Sequence, residues 1–589
     1  MIDAGRIRAC SSVFEVFALL TELGYPVEPV AIVADEWRRA GIDVAWPNAS
    51  TLYLASRSQA LDCYVVAGFD LPERDAARAF LRSLQAYNVL RKPALVAWSP
   101  SAMALYDLSA NRDLRRLDID LRHPSLHAID RVNLLAVNGS GDHARLFDRA
   151  LDRETLARQF FERFRGAVRE VDASLRTRFD RERADATAAQ ALLILSRLLF
   201  LYFIQQKGWL NGERRFLVDR LDAALQSDHP FYESVLAPLF FGCLNTPIGD
   251  RHLPPRMLGN VPYLNGGLFE PSSFEKRHDV ELSNDLMQGI VENVFERFAF
   301  CIDESDSAGT HIDPEMLGKV FESLMAEDER ASTGSFYTPK SVVDALTERA
   351  IDEWCGRDEG PKLVKRLESI AVLDPACGSG AFLLSALQAI EKRTAANGGT
   401  PDRQSIVERS LFGVDLKPEA VRLCELRLWL AIVAQREGDA SSIPPLPNLD
   451  RNILQGNSLL SPIDFLGDAR GDVYRDWMAG IRAQSDLIAR YRNATAHERP
   501  ALARLMRSND QKLAADLLSK ALEIDDRELQ EIARPQKDLF GHVRPMNIAR
   551  CRELHARVRE TGDLLRRAED GELDFFSYDV HFAHVISRG

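Results

Sequence analysis

The chain has 589 residues, of which 46% are hydrophobic and 27% charged, with a formal net charge of −13. Length and composition are those of a globular protein of roughly two to four domains. Its eight cysteines (Cys10, Cys63, Cys243, Cys301, Cys355, Cys377, Cys424 and Cys551) include no Cys-x-x-Cys, which excludes a zinc ribbon and argues for reduced thiols in a cytoplasm.

No apolar run approaches the ~20 residues of a membrane-spanning helix. Met1–Arg6 lacks the basic stretch and apolar core of a signal peptide. Residues 1–145 read as a small α/β unit. Strand-like runs occur at Thr51–Ala55, Leu61–Val66 and Ala94–Trp98, and Pro72–Tyr87 is helical in pattern. Residues 146–330 turn helical. Leu156, Phe160, Phe164, Val168, Val171 and Leu175 recur at spacings of three and four, which marks one buried helix face. Acids alternate with the arginines between Arg153 and Arg183, so that stretch predicts a solvated face with i,i+4 pairs. A second helix is expected from Ala188 to Lys207, capped by Gly208. Val261–Glu270 and Asp313–Glu322 read as turn-rich loops and a capped helix, with a structural role.

Residues 331–465 hold the most informative stretch. The apolar run from Ile370 to Leu373 ends in Asp374, a Gly378-Ser379-Gly380 turn follows, and an apolar helix begins at once. That is a strand, a tight loop and a helix, as in a Rossmann-like βα unit. Glycines at 378 and 380 let the backbone take unusual dihedrals and lie flush against a ligand. Before it, Pro339 suits the first position of a helix from Lys340 to Trp354. After it, Leu411–Asp415 reads as a second strand ending in an acid, where a Rossmann-like site binds ribose hydroxyls, with a helix from Pro418 to Val433. Asn452–Leu459 follows as a third strand and turn. Residues 466–589 are largely charged and helical in period, broken at Pro500, Pro535 and Pro545.

The string Asp374-Pro375-Ala376-Cys377-Gly378-Ser379-Gly380 resembles the S-adenosylmethionine loop of DNA adenine-N6 methyltransferases. Thr333–Pro339 looks like the family's leading cofactor motif, a Gly-x-Phe/Tyr-Tyr-Thr-Pro pattern. Asn452–Leu459 is similar to its third motif, although many relatives carry Asp where this chain has Asn457. The motif order is that of the gamma class. Val261–Glu270 and Asp313–Glu322 resemble the helical connector of type IIG restriction–modification and phage-exclusion (BREX-like) methyltransferases. The resemblance spans roughly residues 150–589 and is strongest from 261 to 460.

The resemblance implies an α/β protein with a Rossmann-like S-adenosylmethionine-binding domain, preceded by a helical connector and a small, degenerate nuclease-like N-terminal domain. Asp374, Gly378 and Gly380 would hold the methionine part of the cofactor, with Ala376 in the same loop, and Phe336, Tyr337 and Thr338 would close that side. Asp415, followed by Leu416, would bind the ribose, and Asn457 the adenine ring. No metal is expected for methyl transfer. In the larger relatives a PD-(D/E)xK nuclease precedes the connector, and its chemistry needs a lysine two residues after a metal-holding acid. Lys92 is the only lysine before Lys207, and neither Leu90 nor Gln205 is acidic.

The family's catalytic Asn/Asp-Pro-Pro-Tyr/Phe is absent. Pro254-Pro255 lies between Leu253 and Arg256, and Pro444-Pro445 between Ile443 and Leu446. Neither offers the amide or carboxylate that accepts from the target amino group, nor the aromatic that stacks on a flipped base. In relatives a stretch like Phe575–Gly589 runs straight into the catalytic strand. The expectation is therefore the cofactor-binding half of a methyltransferase acting on double-stranded DNA. A second polypeptide or a C-terminal continuation would carry the catalytic motif and the target-recognition domain. A non-catalytic scaffold subunit of a defence complex and a bifunctional type IIG restriction enzyme are the alternatives. The net charge of −13 places any phosphate-binding cations in a local cluster or on that missing part.

Overall fold

The computed structural model describes residues 1–33, 51–58, 60–88, 90–137, 142–252, 258–264, 268–302, 309–318, 338–438, 440, 443–459, 470–493, 498–533, 548–569 and 576–586. The chain divides into two units, Met1–Tyr337 with Trp429–Pro447, and Thr338–Leu428 with Asn448–Gly589.

The first unit begins with a six-stranded sheet in sequence order: β1 (Val27–Ile32), β2 (Thr51–Arg57), β3 (Leu61–Ala67), β4 (Lys92–Trp98), β5 (Ala102–Leu108) and β6 (Leu114–Asp120). All neighbours are antiparallel except β3 and β4, which run parallel. A parallel pair needs a crossover, and the Arg74–Tyr87 helix supplies it. Side chains alternate across a strand. Cys63, Val65, Ala94 and Val96 therefore pack on one face with Val16, Leu20 and Phe147, while Tyr64, Val66, Leu95 and Ala97 meet Phe80 and Leu84 of the crossover helix on the other. Both faces are covered, which accounts for the near-continuous burial of β3 and β4. The runs expected at β2, β3 and β4 lie in these strands, and the crossover helix begins at Arg74, two residues after the expected Pro72. β1, β5 and β6 were not expected: β6 (Leu-Arg-Arg-Leu-Asp-Ile-Asp) hides its alternation among charges.

Two long helices follow. The Arg153–Arg178 helix buries Leu156, Phe160, Phe164, Val171 and Leu175 as its spacing predicts, and leaves Val168 half-buried. Its outer face carries the Arg176–Asp172 pair at i,i+4. The Ala184–Gln206 helix ends where expected, with Gly208 just beyond at φ +75°. This helix corrects the expectation that no apolar run is long enough to span a membrane. By length and composition it could, and 83% of its most apolar stretch is buried inside the protein. Arg197 breaks the run in sequence, yet it is fully buried. Its guanidinium donates to the Leu268 and Glu270 carbonyls at 2.7 and 2.8 Å and pairs with Glu275 at 2.6 Å, between the rings of Phe240 and Phe241. The turn-rich segment around 268–275 is thus pinned to a core helix. Asn265–Gly267 and residues 319–337 lie outside the described residues, as do Pro254 and Pro255.

The second unit holds three parallel strands in the order β7 (Val372–Asp374), β8 (Leu411–Asp415) and β9 (Ile453–Gln455). β7 begins two residues later than the apolar run suggested and includes Asp374. The Ala381–Ala396 and Arg403–Ser410 helices connect β7 to β8, and the Pro418–Gln435 helix leaves β8. The helix before β7 runs Lys340–Cys355, and Pro339 sits just outside it with ψ 138° rather than in its first helical position. That helix lies along Ala381–Ala396, held by Ser385 Oγ to Asp344 at 2.7 Å and Lys392 to Glu348 at 3.3 Å. Three further helices, Arg470–Asn493, Arg499–Ala533 and Ile548–Glu569, pack through small apolar clusters such as Trp477, Ile481, Leu513 and Leu517. The segment 576–586 returns to the sheet, where Phe576 and Phe582 cover Phe412 and Val414 of β8.

Candidate functional site

The carboxyl ends of β7, β8 and β9 lie side by side, because the register pairs Asp374 with Gly413 and Asp415 with Gln455. Ligands of parallel α/β sheets bind beyond this edge. Three loops meet there. In the first, Asp374 Oδ1 accepts from the Ala376 N–H at 3.1 Å, the Cys377 N–H donates to the Val414 carbonyl at 2.9 Å, and the Gly380 N–H donates to the Cys377 carbonyl at 2.7 Å. This tight winding puts Gly378 at φ +51° and Gly380 at φ +84°, in the left-handed region that glycine adopts without a Cβ penalty. Gly380 is also the N-cap of the Ala381–Ala396 helix, so the first amides of that helix open at the loop and carry its partial positive charge.

Asp415 ties the loops together. Its Oδ2 accepts from the Gly378 N–H at 2.9 Å, its Oδ1 from the Lys417 N–H at 2.9 Å, and its carbonyl from the Gly456 N–H at 2.9 Å. Each carboxylate oxygen keeps a further lone pair for a ligand hydroxyl. Leu416, next in the chain, is 62% exposed. In the third loop Asn457 is half-buried and its Oδ1 accepts from the Leu459 N–H at 3.0 Å. Asp374, Ala376, Gly378, Gly380, Asp415, Leu416 and Asn457 therefore gather at one edge. Thr338 is half-buried just before the Lys340–Cys355 helix, and Phe336 and Tyr337 lie outside the described residues.

Other residues shape this edge without having stood out in the sequence. A Cβ on Gly380 would meet Cys424 Sγ at 2.7 Å, and one on Gly413 would meet Cys377 Sγ at 3.0 Å, so two buried thiols lie under the loop. The Cys424 thiol beside it, together with burial, pushes the Cys377 thiol well above its ordinary range. A Cβ on Gly456 would meet Phe576 Cβ at 2.3 Å, which places the 576–586 segment directly behind the third loop. Glu425 is buried two residues before Arg427 on the Pro418–Gln435 helix. Burial, only partly offset by Arg422 at 3.1 Å, raises its carboxyl to about 7. The signal for this underside was present in Cys424-Glu425-Leu426-Arg427-Leu428-Trp429, where polar side chains sit in a stretch buried on every side.

The outer edge of β7 has no strand beside it among the described residues. A cleft of about 460 Å³ runs along it, lined by Leu346, Ala350 and Trp354 of the preceding helix, by residues 370–375, which include β7, and by Phe382. Leu373 is 43% exposed there.

In the first unit, the nuclease-type residues take a different form. Asp62, the second residue of β3, is 6% exposed and faces Arg57 at 3.4 Å and Arg91 at 3.0 Å. Lys92 pairs with Asp107 at 2.7 Å and Asp148 at 2.6 Å, and Arg115 pairs with the same two acids at 2.6 and 2.5 Å. Two cations thus balance two carboxylates. Among the described residues no group of three or more His, Cys, Asp or Glu is placed to hold a metal ion.

With this geometry, comparison with known proteins is specific. Residues 312–441 match the family model for N-6 DNA Methylase. The chain carries an N-6 DNA methylase domain. Its homologues are type I and type II restriction–modification methyltransferases. A Methanocaldococcus jannaschii protein whose name describes a type II restriction enzyme and methyltransferase is 29% identical over 326 residues, covering 46% of this chain and 27% of its own length. DNA methyltransferase A of Bacillus subtilis is 23% identical over 256 residues, covering 41% and 27%. Among solved structures, the type IIL restriction-modification enzyme MmeI in complex with DNA is similar, with a TM-score of 0.36 at 17% identity, over 53% of this chain and 41% of that one. The match thus spans about a quarter of the length of the two sequence relatives. The glycine loop, Asp415 and the Pro418–Gln435 helix all fall within the methylase domain, whereas β9 and Asn457 follow it. Methyltransferases of this family use S-adenosylmethionine in general.

Proposed function

We propose that this chain is the cofactor-binding part of an S-adenosylmethionine-dependent DNA adenine-N6 methyltransferase of the gamma class, of the type IIG or phage-exclusion kind, working in the cytoplasm. The observation that carries the proposal is the meeting of the Asp374–Gly380 loop, Asp415 and Asn457 at the ends of three parallel strands, within and just after a methylase domain. The residues fit the cofactor. Gly380, as the N-cap, opens the first amides of the Ala381–Ala396 helix at the loop, where a carboxylate is favoured. An acid at the end of the second strand suits ribose hydroxyls, and an amide side chain can both donate to and accept from an adenine edge.

In this reading residues 331–465 are the cofactor core. Asp374, Ala376, Gly378 and Gly380 take the methionine part, with Phe336, Tyr337 and Thr338 on the same side. Asp415 and Leu416 take the ribose side, and Asn457 the adenine. The bound cofactor supplies an electrophilic methyl group, and the protein holds it in one orientation against the target amino group of double-stranded DNA. The polar groups that free the amino lone pair belong to an Asn/Asp-Pro-Pro-aromatic segment, which this sequence does not contain. A continuation of the chain or a second polypeptide supplies it. The edge of β7, beside which no strand lies among the described residues, supports that reading, since exposed strand edges and apolar clefts invite pairing. A cofactor-binding scaffold subunit that transfers no methyl group is the alternative reading.

Calorimetric titration with S-adenosylhomocysteine tests the core claim. Binding is expected, and Asp415→Ala should weaken it by about 1–3 kcal/mol through loss of charge-assisted hydrogen bonds. A well-folded chain that binds no cofactor would refute the assignment. Tritiated methyl transfer to genomic DNA, with and without a polypeptide carrying the tetrapeptide, separates the half-enzyme from the scaffold.

A further inference from the structure

We propose that Arg427 is a positioning residue that holds the cofactor loop in its receiving shape from beneath; the proposal rests on the cofactor reading above. Arg427 is 5% exposed and Ser379 1% exposed. One guanidinium nitrogen, Nη1, donates to the Ser379 carbonyl at 2.8 Å and to the Ser379 hydroxyl at 3.0 Å. Ser379 lies between the two left-handed glycines; the N–H end of the Ser379–Gly380 peptide donates to the Cys377 carbonyl at 2.7 Å, and Arg427 holds its carbonyl end.

Each loop amide that faces the ligand edge needs the peptide plane behind it to stay fixed. On the upper side, Asp415 Oδ2 takes the Gly378 N–H at 2.9 Å. On the lower side, Arg427 donates to the carbonyl and the hydroxyl of Ser379. The loop is therefore held from an acid at the end of β8 and from a cation on the helix that leaves β8. A buried carbonyl must have a partner, and a charged donor in a low-dielectric setting holds it more firmly than water would. A loop fixed before the cofactor arrives loses less conformational freedom on binding, so the fixing appears as affinity. Neither Arg427 nor its methylene stem need touch the cofactor for this effect.

The test uses the full chain with Arg427→Gln, Arg427→Lys and Ser379→Ala. Two readouts are taken: S-adenosylhomocysteine affinity by calorimetry, and amide hydrogen exchange of peptides covering 375–384 without any cofactor. Arg427→Gln should weaken affinity about tenfold or more, and Ser379→Ala, which keeps the carbonyl bond, by no more than about tenfold. Arg427→Lys should recover part of the loss, because an ammonium still donates but without the fixed fork. Loop amides should exchange faster in Arg427→Gln while peptides from the Pro418–Gln435 helix keep their protection, an outcome that general destabilisation would not give. A folded Arg427→Gln protein with wild-type affinity and wild-type loop exchange would overturn the proposal. Should that variant not fold, unchanged loop exchange in both Arg427→Lys and Ser379→Ala would overturn it equally. If the wild-type chain binds no cofactor, the functional reading falls, and the exchange experiment still decides the role of Arg427.

Discussion

Replacing Gly380 by alanine tests the geometry under the glycine loop most directly, because two separate costs can be told apart. The first is conformational. At φ +84° an L-residue places its Cβ against its own backbone, at about 1–2 kcal/mol. The second is steric. The new carbon would stand 2.7 Å from Cys424 Sγ, closer than any relaxed contact, and the buried thiol has little room to retreat. Overpacking of this kind adds about 1–3 kcal/mol. Gly380→Ala should therefore destabilise the second unit by about 2–5 kcal/mol, summing the two ranges. In a Cys424→Ala background the sulfur is gone and the nearest remaining side-chain atom, Cβ, is at 3.5 Å, an ordinary contact. Only the conformational cost should remain there, so the cycle should show a coupling of about 1–3 kcal/mol. Native-state hydrogen exchange of β7 and β8 amides is the suitable assay, since a chain of this size need not unfold in one step. An equal penalty for Gly380→Ala in both backgrounds would show that Cys424 does not lie under the loop.

The remaining predictions concern buried charge. Glu425 holds its proton up to about pH 7 in the folded state, against an ordinary value of 4.5, because burial outweighs the pull of Arg422. Its folded-state affinity for the proton is the higher one, so its contribution is complete below pH 4.5 and is lost as pH rises through 7. Glu425→Gln should flatten that loss and raise stability at pH 8 by up to about 3 kcal/mol, less whatever Arg422 forfeits; identical pH–stability curves for both proteins between pH 5 and 8 would contradict this. Arg197→Met should destabilise the first unit by about 3–5 kcal/mol, since it strands the buried Glu275 carboxylate. Thermal or denaturant unfolding that matches wild type would rule out the buried pair. The chain should show no Mg²⁺-dependent DNA cleavage, because Lys92 and Arg115 already neutralise Asp107 and Asp148. Nicking activity that disappears in Asp62→Ala would reverse that reading.

The sequence by itself determined the elements whose cause is local. The apolar run into Asp374, the two glycines and the helix after them are set by residues adjacent in the chain, and the loop folds as that string requires. The 3.6-residue spacing of Leu156, Phe160 and Phe164 likewise declares a buried helix face within one window. Partners distant in sequence were decided only by the tertiary structure. Cys424 and Arg427 reach the loop from a helix more than forty positions away, and Phe576 reaches Gly456 from beyond three long helices. No spacing rule links such residues, because the sheet register and helix packing that bring them together are properties of the whole fold. Arg197 shows the same limit from the other side. In sequence it interrupts an apolar run, and only the carbonyls of Leu268 and Glu270 and the carboxylate of Glu275 make its burial favourable. A charge is tolerated in a core when its partners are complete, and those partners are 71 to 78 residues away.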